Sequence, residues 1–290
     1  MNLFKNTTLF LSVIFSLASC ENEKSFITEN EPLNAVDTPA SQEIIDGLVN
    51  AKIGTEYLSK RIIENADGEP TLHYKVQGDI YMTADQILHP ENHQNPITKI
   101  DTELASKQYR TTYIVYPERT IHIRILNSGP EALSTDQQTG IVWAINDYNA
   151  LNIGLKFTYS RGANRDGHPI VAKRVNWLGN NSGEAGFPTL GNPFHTIHVG
   201  NTTLGRNYAK ALMMHELGHC IGLRHTNWYK RNTTCENVAN DNEGRGWMGA
   251  VYIPGTSAGD GNDWNSVMQA CIGDQQGFSR DDKKALRAMY

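Results

Sequence analysis

The sequence predicts a compact α/β domain over residues 111–290, and three patterns carry that expectation. Ile121, Ile123 and Ile125 alternate with His122 and Arg124, the period of two that marks a half-buried strand. Ser134-Thr135-Asp136 can cap a helix running to about residue 150, with Ile141, Val142, Ala144, Ile145 and Tyr148 on its inner face. Short strands are expected at 155–159, 168–175 and 196–200, with a glycine-rich turn region at 179–191 before the last of them. At the end of the chain Ser279 caps a helix to residue 290, and Asp281 and Asp282 in its first turn suit its positive end.

The upstream part reads differently. Ile44, Ile45, Leu48, Val49, Ile53, Leu58, Ile62 and Ile63 recur at mixed three- and four-residue spacing, which predicts one or two helices between 41 and 64, stopped by Ala66-Asp67-Gly68. Residues 72–82 read as extended, 83–110 as loop and polar connector, and 21–38 as a polar tether. The whole chain has 290 residues, 39% of them hydrophobic, with 26 Lys+Arg against 31 Asp+Glu. That composition is globular and excludes collagen-like, long disordered and disulfide-scaffold classes. The charge is unevenly spread: residues 1–110 hold 9 basic against 16 acidic side chains, a charge of −7, and residues 111–290 hold 17 against 15, a charge of +2. One domain with an acidic extension fits this split, and no global basic patch points to nucleic acid.

Lys5 precedes an apolar run at 10–18 that is too short for the ~20 residues of a membrane span but suits the core of a secretory signal. Leu17-Ala18-Ser19-Cys20 resembles a bacterial lipobox, whose cysteine carries two acyl chains and so anchors a protein stably to a membrane. An ordinary cleaved signal peptide is the alternative.

The most informative segment runs from Ala209 to His225. On a helix His215 and His219 lie four residues apart on one face, so both imidazoles can reach one ion at the ~2.0–2.1 Å of a Zn–N bond. Glu216 sits beside them, where its carboxylate can hold a water on that ion. Gly222 permits a left-handed residue that ends the helix, which lets His225 return as a third ligand. Three protein ligands leave a fourth position open, the mark of a catalytic zinc rather than a structural one. A methionine in Asn265-Ser266-Val267-Met268 follows 43 residues after His225.

His215-Glu216, His219, Gly222, His225 and the Met268 turn together resemble the metzincin metallopeptidases, and more narrowly the bacterial secreted HEIGH-type peptidases, with Leu217 where isoleucine is usual. The resemblance covers about 111–290. It implies a mostly parallel twisted sheet, a long zinc-binding helix, a Met-turn with Met268 as the floor of the site, and a C-terminal helix. It further implies a zinc endopeptidase acting on protein or peptide substrates, with Glu216 as general base. Thr226 stands where astacin-like relatives have glutamate, and Ala270 where astacins and serralysins have tyrosine, so no tyrosine is placed by motif to stabilise an oxyanion.

The same resemblance gives the acidic part a role. Val76-Gln77-Gly78-Asp79-Ile80 is similar to the astacin propeptide motif whose aspartate ligates zinc, so Asp79 is expected to hold the ion in a latent form; on spacing alone Gly78-Asp79 reads as a turn. The implied organisation is a lipoprotein signal at 1–20, a tether and inhibitory propeptide at 21–110, and a catalytic domain at 111–290, with the product exported and held at the outer membrane or cell surface. The own propeptide and a lipid-anchored membrane are then its partners beside substrate. A surface-anchored binding lipoprotein with an inactive peptidase fold is the alternative.

Three cysteines follow Cys20, an odd number, so one pair and one free thiol is the simplest arithmetic. Cys235 with Cys271, flanking the Met268 turn, is the expected pair, and Cys220 the buried thiol; the sequence leaves other connectivities open. His195 and His198 fall on a strand at odd spacing, so their side chains oppose each other, and His122 and His168 lack partner spacing. Asp260-Gly261-Asn262-Asp263 offers oxygen ligands for calcium but lacks the full loop pattern and reads as a turn.

Overall fold

The computed structural model describes residues 38–93, 108–163, 169–236, 242–245, 248–257, 263–273 and 275–290. Cys20, His168 and Asp260-Gly261-Asn262 lie outside them. The elements run α1 Gln42–Asn50, β1 Ser59–Glu64, β2 Pro70–Val76, β3 Ile80–Met82, α2 Ala84–Leu88, β4 Tyr109–Arg110, β5 Arg119–Leu126, α3 Thr135–Ala150, β6 Leu155–Gly162, β7 Ile170–Arg174, β8 Gly183–Gly186, β9 Thr196–Val199, α4 Gly205–Ile221, β10 Val251–Tyr252 and α5 Arg280–Met289. Among them no helix is long and apolar enough to cross a membrane.

Local chemistry explains where the helices begin. Ser134, Ser279 and Thr83 each accept from the third backbone N–H of their helix, and Gln137, Asp282 and Gln86 reach back to the cap, so α3, α5 and α2 all start on a capping box. Eight strands form one sheet in the order β1-β2-β3-β8-β9-β7-β5-β6. β9, β7, β5 and β6 run parallel, β8 is antiparallel to β9, and β3 runs parallel to β8. α3 and α4 pack closely where Gly140 leaves room: a Cβ there would stand 2.7 Å from the backbone of Ala209 and Lys210. Ile121, Ile123, Ile125, Ile141, Phe157, Leu217 and Met268 belong to the larger core, under this pair.

Three segments depart from the sequence reading. The helical expectation for 41–64 holds only for α1; Ile62 and Ile63 lie on β1, where β-branched side chains suit a pleated surface. Ala66-Asp67-Gly68 then turns a hairpin rather than stopping a helix, with Asn65 Oδ1 accepting from Asp67 N at 2.9 Å and Glu69 N at 3.0 Å. Within 83–110 the chain forms α2 on the Thr83 box instead of plain loop. The third is the glycine-rich 179–191 region, which contains β8.

The β1–β3 hairpins are not peripheral. Ile44, Leu48, Val76, Ile80, Met82 and Ile87 form a second core that includes Phe187 and Met248. His73 on β2 is buried with its ring 5.8 to 6.3 Å from those of His195, Phe194 and Tyr81. Burial holds its pKa down to about 4, against a hydrogen bond to Thr71 O that works the other way. A folded-state pKa below the unfolded value means stability is whole above about 6.5 and is lost as pH falls towards 4, roughly 2 kcal/mol by pH 5. Melting of the full chain is therefore expected to shift down between pH 7 and 5, and His73→Phe to flatten that part of the dependence.

Candidate metal centre and catalytic cleft

α4 carries His215 and His219 one turn apart, and Gly222 ends it at φ 108°. The N–H groups of Gly222 and Leu223 close the helix on His219 O and Gly218 O at 2.9 and 2.8 Å. A Cβ on Gly222 would come within 2.9 Å of Tyr113 O, so both the left-handed backbone and the space require glycine. The reversed chain pairs Leu223 with Arg110 and brings His225 back over the helix.

The three Nε2 atoms converge at 2.9, 3.1 and 3.2 Å from one another. Each ring is fixed through its other nitrogen: Nδ1 of His215 on Val267 O at 2.7 Å, of His219 on Leu223 O at 2.9 Å, and of His225 on Glu243 Oε1 at 2.5 Å. Asp79 Oδ2 stands 3.0 Å from His225 Nε2, 3.5 Å from His215 Nε2 and 3.9 Å from His219 Nε2. All four ligand atoms lie within 4.8 Å of one another. Three imidazoles and a carboxylate, each imidazole oriented from behind, form a donor set that fits zinc.

Electrostatics agree with a cation site. Burial and the two neighbouring imidazoles push His219 well below its usual pKa, so it is neutral at pH 7. Burial would lower His225 too, but Asp79 and Glu243 outweigh it and lift that ring to about 9 in the metal-free chain, so a cation bound there displaces a proton. Burial would raise Asp79, yet the three histidines hold it well below the carboxylate range. Glu216 goes the other way, raised well above it by burial and by the charges of Asp79 and Glu184.

Glu216 points from α4 towards β8. Its Oε2 is buried without a hydrogen bond, and a Cβ on Gly183 would stand 2.3 Å from Oε1. Met268 is fully buried beneath α4, its Sδ 2.5 Å from where a Cβ on Gly218 would lie. The turn holding it is anchored by Asp282, which accepts from Ser266 Oγ at 2.6 Å, Val267 N at 3.1 Å and Ser279 N at 2.9 Å. Burial nevertheless lifts Asp282 to about 6. Thr226 N donates to Met268 O at 2.7 Å, tying the turn to the third histidine.

The structure brings Asp79, His215, Glu216, His219, His225 and Met268 into one place. Cys235 and Cys271 stand with an S–S distance of 2.15 Å and Cα atoms 5.2 Å apart, and Cys220 is free and buried. His198 packs against Tyr81 and Trp177, His195 against Phe194, and His122 bonds Thr158 and Ser160; none joins the metal group. Asp263 Oδ2 accepts from Ser279 Oγ at 2.6 Å.

Glu243 is the residue that sequence reasoning missed. Besides His225 it meets Arg231 Nε at 3.2 Å and Arg224 Nη2 at 3.4 Å, and its backbone oxygen accepts from Gln77 Nε2 at 3.1 Å. It lies 18 residues past His225 in a polar stretch with no periodicity to announce it. Glu243→Gln removes the anion that orients His225, and zinc affinity measured by competition with a chromogenic chelator is expected to fall ~10- to 100-fold.

Comparison with known proteins gives the same direction. No curated protein matches the chain. Two solved structures of myroilysin are similar to it: one at 14% identity and TM-score 0.39, covering 61% of this chain and 82% of that one, the other at 12% and 0.38, covering 69% and 95%. The model of the dual-action HEIGH metallopeptidases matches residues 75–290, from the strand that leads into Asp79 through the histidine helix to the last helix. By that match this chain belongs to the HEIGH metallopeptidase family and is a metallopeptidase, whose implied ion is zinc and whose implied substrates are proteins or peptides.

Proposed function

We propose that the chain is the latent precursor of an exported zinc endopeptidase, with Asp79 as the residue that keeps it inactive. The observation that carries this reading is the position of Asp79 Oδ2, 3.0 Å from His225 Nε2 and within 3.9 Å of the other two imidazoles. Two contacts support it. Ala185 N donates to Asp79 O at 2.9 Å, and Ile80 and Tyr81 pair with Ala185 and Gly186 along β8, the strand beside Glu216 to which a peptide substrate would add.

In the active form His215, His219 and His225 hold the ion and Met268 packs beneath them. Zinc, when bound, lowers the pKa of a coordinated water towards ~7 and polarises a carbonyl. Glu216 takes the proton of the attacking water and returns it to the leaving amine. Its buried, unbonded Oε2 suits a base waiting for that proton. With Ala270 at the position of the tyrosine of astacins, backbone donors are left to share oxyanion stabilisation with the ion.

Maturation removes the segment that ends before the catalytic domain, in the vicinity of residue 110. Tyr109 and Arg110 pair with Tyr252 and Val251, which favours a cut upstream of them. Cys20 is the proposed lipidation site and the outer membrane or cell surface the proposed location; absence of label after growth with palmitate would remove the anchor. The test of the function is casein digestion by intact and matured protein, with and without chelator. Chelator-sensitive digestion by the matured form alone is expected, and a matured, zinc-loaded chain that digests nothing would favour the binding lipoprotein.

A further inference from the structure

Beside the metal group opens a cavity of about 240 Å³ whose walls include Glu216, Tyr208, Leu212, Ile272, Cys271 and Arg231. Most of that lining is apolar or neutral, and Arg231 is its one cation among the described residues. We propose that Arg231 sets the specificity of this cavity by pairing with a carboxylate side chain on the residue adjoining the bond to be cleaved. The inference deepens the reading above and rests on it, because it requires the Asp79 segment to leave the cleft.

Four observations carry it. The first is placement. Arg231 Nη2 lies 2.9 Å from where a Cβ on Gly78 would stand, and Gly78 immediately precedes Asp79, so the guanidinium faces the chain position next to the reaction centre. The second is charge. Arg224 and Arg231 share the single carboxylate of Glu243, which is also engaged by His225, so the group keeps a surplus positive charge once Asp79 departs.

The third observation is rigidity. The Arg231 carbonyl accepts from Cys235 N at 3.0 Å and Asn227 Nδ2 at 3.3 Å, while Asn227 Oδ1 accepts from Ala270 N at 2.9 Å. With Cys235 bonded to Cys271, the arginine turn and the loop after Met268 form one stapled wall, and a preorganised guanidinium loses less freedom on binding. The fourth is that the segment lying over this arginine adds no carboxylate to it, so that Glu243, at 3.2 Å from Nε, is its one acidic partner among the described residues. Arg231 Cζ lies 5.1 Å from the Tyr57 ring centroid, and Gly78, at φ 98°, presents no side chain to it. Glu243 engages Nε, so the Nη2 side that faces Gly78 is kept for another chain.

The test uses the full chain matured by limited proteolysis and loaded with zinc, acting on internally quenched, amidated peptides that differ only in Asp, Asn, Glu or Gln at either residue adjoining the cleaved bond. A buried charge-assisted pair predicts that kcat/KM rises ~10-fold or more for the acid over its amide at one of those two positions. Arg231→Gln is expected to bring that ratio close to one, and Arg231→Lys to keep part of it. A wild-type ratio near one, or a ratio unchanged in Arg231→Gln, overturns the proposal; should Arg231→Gln not fold, the wild-type ratio and Arg231→Lys decide.

A gain confined to peptides with a free C-terminal carboxylate also overturns it, since the cavity would then read chain ends. The uncut chain is assayed in parallel. If it is already as active as the matured form, the latency reading fails by itself and the acid-to-amide ratio is still scored.

Discussion

Glu216→Gln is expected to cost the matured protein ~10²- to 10⁴-fold in peptide hydrolysis while its zinc content stays at one ion per chain. Glutamine keeps the size and hydrogen-bonding shape of the side chain but cannot take a proton. The position gives the replacement no other way to act: the carboxylate is buried against Gly183, outside the group of ligand atoms, and its Oε2 has no partner to lose. Metal analysis beside the kinetic assay separates this from loss of a ligand. His225→Ala should lower both readouts, whereas Glu216→Gln should lower only hydrolysis. Hydrolysis retained by a zinc-loaded Glu216→Gln chain would remove the residue from the role of base.

The second large effect is expected in the uncut precursor. Asp79→Ala takes away the one carboxylate that, among the described residues, approaches all three imidazoles, and with it a contact to charged groups of the kind that changes an equilibrium ~10- to 100-fold. Activity of the intact variant should therefore rise at least tenfold over the intact wild type. It should stay below that of the matured form, because β3 still occupies β8 and Arg231 still rests on Gly78. An Asp79→Ala precursor as inactive as wild type would show that occlusion alone maintains latency. The variant is also expected to bring the pKa of His225 down, since Asp79 is the leading charge lifting it.

What the sequence makes legible here is local. Two histidines one helical turn apart, a glycine free to adopt φ 108° and a third histidine three residues on define the site without any knowledge of the rest of the chain. The capping serines of α3 and α5 are equally local, and both helices begin where they imply. Long-range features are less visible. β8 reads as a turn because Gly183 and Gly186 are there for close approach: a Cβ at the first would run into Glu216 and at the second into Phe194, 2.6 Å away. The same glycines hide the strand propensity and make room for the Glu216 and Phe194 side chains.

β1 escaped for another reason. Isoleucines spaced three and four apart satisfy a helical template, and what decides for a strand is its pairing with β2 from Ser59 to Glu64. Glu243 is invisible because nothing in its neighbourhood repeats. Only the folded chain puts it behind His225. Asp79 lay between these cases, a turn by spacing and a ligand by resemblance, and the structure sets it against all three imidazoles.

One more consequence follows from the order of strands. β8 is bordered by β3, so in the maturation proposed above departure of the hairpin would leave a row of unpaired backbone groups at the rim of the sheet, an invitation to stick to other copies. The rim is built to discourage that. β8 is four residues long, glycine stands at both ends, and Glu184 lies between, paired with Lys75 Nζ at 2.9 Å and accepting from the Tyr81 hydroxyl. Freed of those partners in that proposed maturation, its carboxylate would be a repelling charge on the newly bare border, so that the opening proposed to admit a peptide would also guard against aggregation.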